Sequence, residues 1–109
     1  MKLPNGERAL LKLEKFAEYC LYPSRPRGRH KARVFAAVGI RQADTGKLRT
    51  ALLKAARDAD AVPGPSSAYG RRYLVDFDMP CQGRTVKIRS AWIVAPGTDL
   101  PRWTTCYVL

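Results

Sequence analysis

Three runs in the second half of the chain, residues 72–79, 85–95 and 102–109, are built like strands, and turn formers separate them. In the first, Tyr73, Val75, Phe77 and Met79 alternate with Leu74, Asp76 and Asp78. In the second, Val86, Ile88, Ser90, Trp92 and Val94 alternate with Lys87, Arg89, Ala91 and Ile93. A period of two puts one set in a core and the other towards water. Gln82-Gly83-Arg84 and Pro96-Gly97 supply reversals. The last run is rich in aromatic and β-branched residues, which suit a pleated surface. Together these runs predict an antiparallel meander, with Pro80 closing its first strand.

Upstream the texture is helical. Leu13, Phe16, Ala17, Cys20 and Leu21 recur at helical spacing until Pro23 breaks the pattern, which predicts a helix over 13–21. A shorter one is expected over 31–38, with Val34, Phe35 and Val38 on one face and Gly39 as its stop. A third begins at Asp44 or Thr45 and runs to about Ala59, with Leu48, Leu52, Ala55 and Ala59 as its apolar stripe. Residues 7–12 are read as a short strand, on an apolar run too brief for periodicity to decide. Residues 62–67 read as a loop. The predicted fold class is α+β, with about three N-terminal helices packed on a C-terminal antiparallel β-meander of three to four strands. At 109 residues and 46% hydrophobic content, the chain is expected to be a single domain over 1–109.

Charge narrows the partner more than the fold. The 20 Lys and Arg against 9 Asp and Glu give a formal charge of +11, which repels itself in a compact molecule unless something anionic screens it. RNA or another nucleic acid is the expected partner, and a small acidic antitoxin-like or immunity-like protein would meet the same need. The basic residues are spread over loop, helix and strand rather than along one amphipathic helix, so no membrane role is expected. Cys20, Cys81 and Cys106 are widely spaced with no C-x-x-C pair, which points to a reduced compartment rather than a disulfide framework or zinc site. No apolar h-region follows the start of the chain, and a cytoplasmic location is expected.

The most unusual segment spans residues 22–30, where Arg25, Arg27 and Arg29 alternate with prolines, glycine and His30, the chain's one histidine. Lys31 and Arg33 follow, at the expected start of a helix whose free N–H groups attract phosphate. A titratable group, fixed cations and helix-end donors are the parts that metal-free RNA cleavage needs: a base for the 2′-hydroxyl, an acid for the leaving oxygen, and cations for the charge on phosphorus. The same segment also reads as a solvated basic loop that only binds. Lys87, Arg89, Thr104, Thr105 and Tyr107 lie on adjoining predicted strands and are expected to converge on one sheet face, where hydroxyls would position a phosphate, although Thr and Tyr are also ordinary strand formers. Trp92 and Trp103 are expected in the core, with base stacking as the alternative. Asp76 and Asp78 are expected to pair with arginines rather than to hold a metal, because no histidine or further carboxylate accompanies them. No phosphate-binding glycine loop, nucleophile elbow or cysteine–histidine motif is present. No metal and no cofactor are expected.

The opening KLPNGERAL, the run EKFAEYCLYPSRPRGRHKARVFAAVGI and the ending RSAWIV…DLPRWTTCYVL resemble a small bacterial family of domains of unknown function, over nearly the whole chain. That family is similar in turn to the C-terminal domains of contact-dependent and other polymorphic toxins, in which a loop rich in glycine and lysine precedes a helix and the chain ends on a Thr-containing strand. Those domains resemble the barnase, EndoU, colicin and RelE group of metal-independent ribonucleases. The resemblance implies an RNase-like scaffold with His30, Lys31, Arg33, Arg89 and Thr105 as candidate catalytic residues. The charge of the basic segment and the strand placement make Arg25, Arg27, Arg29, Lys87 and Tyr107 the expected nucleic-acid contacts. The sequence departs from many such enzymes in lacking a second histidine.

Three functions remain open at the level of sequence. The first is a toxin-like ribonuclease that cleaves RNA by 2′-hydroxyl transesterification. The second is a non-catalytic nucleic-acid-binding module, for which the arginines are an electrostatic footprint. The third is the partner-binding half of a toxin–antitoxin pair.

Overall fold

The computed structural model of the chain describes residues 1–11, 35, 37, 39–40, 44–81 and 83–109. Among them a 3-10 turn at Gly6–Arg8 precedes helix α1 at Thr45–Asp58. Four strands follow: β1 at Ala61–Pro63, β2 at Arg71–Cys81, β3 at Arg84–Val94 and β4 at Arg102–Val108. They form one antiparallel sheet in the order β1-β2-β3-β4, so each strand lies beside its neighbour in sequence.

The long β2–β3 hairpin is the spine. Its register runs without interruption from Arg71 opposite Val94 to Cys81 opposite Arg84. The second reversal, Ala95 to Thr98, is closed by the Thr98 N–H on the Ala95 carbonyl at 3.1 Å. Pro80 lies within β2 rather than closing it. β1 covers only Tyr73 to Val75, so β2 has an open side at Pro80, where a missing N–H is tolerated.

Alternation divides the sheet into two faces. Val75, Met79, Val86, Ile88, Trp92, Val94, Trp103 and Cys106 are buried together with Leu48, Leu52, Ala55 and Ala56 of α1. Leu3, Leu11, Phe35, Ile40, Ala61 and Tyr73 complete this core. Each fully buried leucine contributes about 1.5–3 kcal/mol through removal of apolar area from water. One polar side chain is buried among them: Ser90 Oγ donates to the Val75 carbonyl at 2.7 Å and accepts from Trp92 Nε1 at 2.9 Å. The predicted inward set of β2 and β3 and the core placement of both tryptophans agree with these contacts.

The predicted fold class is corrected. Among the described residues one complete α-helix stands against a four-stranded antiparallel sheet, so the described fold is mostly β rather than about three N-terminal helices on a meander. Two of the four strands reach 11 residues each. The expected helix over 13–21 lies outside the described residues, as does that over 31–38 apart from Phe35 and Ala37, which are helical. The expected loop at 62–67 begins instead as β1, where Val62 and Pro63 pair with Leu74 and Tyr73. Three residues are too few for alternation to show.

The expected strand over 7–12 is also corrected. Asn5 takes a left-handed conformation at φ 54, and the chain turns through Gly6–Arg8. Gly6 packs so closely on the helix that a Cβ there would stand 1.9 Å from the Ala56 carbonyl oxygen. Only glycine permits that approach. What remains of strand character is one parallel bridge from Leu10 to Arg102.

Candidate nucleic-acid interface

The face of the sheet turned away from the core carries most of the charge that the strands supply. Reading across the register, Arg72, Ile93 and Arg102 form one row, and Leu74, Ala91 and Thr105 the next. Asp76, Arg89 and Tyr107 form a third, and Asp78 stands opposite Lys87. Arg72, Lys87, Arg102 and Tyr107 are exposed, while Arg89 and Thr105 are half-buried. Along β2 and β3 these groups share one face because each is an even number of residues from the next.

The register shifts between Ala91 and Trp92, where Trp92 faces Trp103 but Ala91 faces Thr105. Thr104 is therefore the extra residue of a bulge, and its Oγ1 donates to the Ala91 carbonyl at 2.9 Å. Without that bulge Thr105 and Tyr107 would point into the core. Of the strand residues expected to converge, Lys87, Arg89, Thr105 and Tyr107 do so, and Thr104 is spent on the strand irregularity that allows it.

Arg89 is already engaged. Its Nε and one terminal nitrogen donate to the two carboxylate oxygens of Asp76 at 2.8 and 2.9 Å, a bidentate pair across β2 and β3. The hydrogen bond from Arg89 holds the Asp76 carboxyl below the usual carboxylate range, and the charges of Arg89 and Lys87 act in the same direction. Asp76 in turn raises the Arg89 pKa, with a further contribution from a hydrogen bond with Tyr107. Thus Asp76, Arg89 and Tyr107 form one polar row over three strands, as the expected pairing of Asp76 with an arginine required.

A cleft of about 390 Å³ opens beside this row, lined by Asp60, Val62, Leu74, Asp76 and Arg89. Asp60, Arg72 and Arg102 were not among the expected site residues. Arg72 and Arg102 carried a usable signal, since each flanks a predicted strand at an outward position. Asp60 carried none, because its place depends on β1. A larger cleft of about 680 Å³ lies between α1 and the end of β2, walled by Ala51, Ala55, Phe77 and Met79, and contains none of the expected site residues.

His30, Lys31, Arg33, Arg25, Arg27 and Arg29 lie outside the described residues. Among the described residues no group of three or more His, Cys, Asp or Glu is placed to hold a metal ion. No helix among them is long and apolar enough to cross a membrane.

A family model described as a domain of unknown function, DUF6883, matches residues 2–109. The chain belongs to this family. The DUF6883 match spans the helix, all four strands and the basic segment together. No curated protein matches the chain, and no solved structure does. The likeness to toxin ribonucleases gains no support from the DUF6883 match.

Proposed function

We propose that this DUF6883 member binds RNA across the outward face of its sheet and cleaves it without a metal by 2′-hydroxyl transesterification. The observation that carries the reading is the placing of Lys87, Arg89, Thr105 and Tyr107 on one outward face, from strands separated by a turn and a bulge. Cations there hold the phosphate, and Thr105 and Tyr107 offer hydroxyls to its oxygens. His30 takes the 2′-hydroxyl proton or protonates the leaving 5′-oxygen, and Lys31 and Arg33 stabilise the charge that develops on phosphorus. The 2′-oxygen forms a bond to phosphorus as the bond to the 5′-oxygen breaks, leaving a 2′,3′-cyclic phosphate and a 5′-hydroxyl. The reading places the domain in the cytoplasm as a toxin-like protein, where a small acidic antitoxin-like partner would suit the same basic face.

A second reading, a binding module without catalysis, is favoured by one observation. The Arg89 guanidinium is neutralised by Asp76 at 2.8 Å, which makes it a poor phosphate clamp. The test is incubation of the purified protein with labelled tRNA and mixed RNA in EDTA, beside His30→Ala. Cleavage to cyclic-phosphate ends by the wild type alone supports the ribonuclease. Intact RNA held in a salt-sensitive complex supports the binding module, and neither cleavage nor binding overturns both.

A further inference from the structure

The cleft beside the Asp76–Arg89 pair combines three chemistries. Val62 and Leu74 supply an apolar floor, and Val62 is 63% exposed. Arg89 supplies a cation on one side, with its fork turned to Asp76. Asp60 supplies a carboxylate that has no hydrogen-bond or ion-pair partner among the described residues. Asp60 immediately precedes Ala61, whose partner is Val75, and Asp76 immediately follows Val75. The two carboxylates therefore sit side by side, and Arg89 satisfies only one of them. Asp60 is exposed on this face of a chain whose net charge is +11.

A flat ligand with apolar faces and N–H donors on its edge satisfies all of these groups at once. Its face covers Val62 and Leu74, and its donors reach Asp60, which as a carboxylate accepts only. The cleft volume of about 390 Å³ is within the range of roughly 300–1,000 Å³ found for small-ligand sites. We infer that the cleft over Asp60, Val62 and Leu74 is a nucleobase subsite that selects bases bearing an exocyclic amine, adenine, cytosine or guanine, over uracil. Adenine and cytosine present amino donors, and guanine adds a ring N–H beside its amine, whereas uracil has no amine and its one ring N–H is flanked by two carbonyl oxygens that a carboxylate repels. Arg72, Lys87 and Arg102, exposed on the same face, take the flanking phosphates. The inference rests on the RNA-binding reading and adds base selection to it.

The test uses 2′-O-methyl oligonucleotides of about 12 nucleotides, which span a typical single-strand site and lack the hydroxyl needed for cleavage. Anisotropy titrations with oligo-A, oligo-C and oligo-U are run on the wild type and on Asp60→Asn, with urea midpoints to confirm that the exposed substitution leaves the fold intact. The wild type is expected to bind oligo-A and oligo-C at least about fivefold more tightly than oligo-U. Asp60→Asn, whose carboxamide both donates and accepts, is expected to reduce that ratio to near one by gaining affinity for oligo-U. Equal binding of all three by the wild type overturns the base subsite and leaves the RNA reading standing. Selectivity that survives in Asp60→Asn overturns the role of Asp60. No binding of any oligonucleotide overturns the RNA reading and the subsite together.

Discussion

Ser90 is the residue whose side chain decides most for its size. It occupies an inward position that alternation assigns to the core, and a hydroxyl there is costly unless fully used. The structure uses it twice, as donor to the Val75 carbonyl and as acceptor from the Trp92 indole. Replacing it with alanine removes both bonds at nearly constant volume and leaves the Trp92 N–H buried without its acceptor. Ser90→Ala is expected to lower stability by about 1–3 kcal/mol, read as a reduced urea midpoint with an unchanged slope. That Ser90 faces inward was legible from its place between Ile88 and Trp92. That it bonds across to β2 was not, because the partner is a backbone carbonyl 15 residues away.

Between elements, the Asp76–Arg89 pair ties β2 to β3 on the side that the core does not hold. The folded-state pKa of Asp76 lies below its ordinary value, chiefly because Arg89 donates to the charged form. Such a pair stabilises the fold above the ordinary carboxylate value of about 3.9, and the contribution disappears as pH falls through the lower folded value. Stability measured by urea is therefore expected to fall more between about pH 5 and about pH 3 in the wild type than in Asp76→Asn. An equal fall in both proteins would show that the pair contributes nothing. The sequence showed Asp76 and Arg89 on alternating strands, and the turn between them fixed their register. The bulge at Thr104 left no such mark: a three-residue β-branched and polar run fits either face until β4 is laid against β3.

For the whole molecule, charge is the property that survives every reading of function. The excess of +11 is distributed so that Arg72, Lys87 and Arg102 are exposed together on the outward sheet face. Binding to single-stranded RNA through that face should weaken linearly on a log–log plot against salt. Lys87→Ala is expected to make the slope shallower by about 0.7, the contribution of one phosphate contact on a single strand. Fluorescence titrations of a mixed-sequence oligonucleotide over a series of salt concentrations measure it. A slope identical to that of the wild type would remove Lys87 from the interface.

Read by itself, the sequence determined the three long strands, the inward residues of β2 and β3, helix α1 and the basic character of the surface. Those features are local or additive: alternation and helical spacing are written in consecutive residues, and net charge is a sum. Tertiary structure alone decided that Gly6 turns against the backbone of α1, that Ala61–Pro63 is a strand, and that a bulge rotates Thr105 and Tyr107 outward. It also brought Asp60 beside Asp76 and Arg89. Each of these depends on which backbone lies next to which, and pairing between distant segments leaves too little trace in three or four residues to be read before the chain has folded.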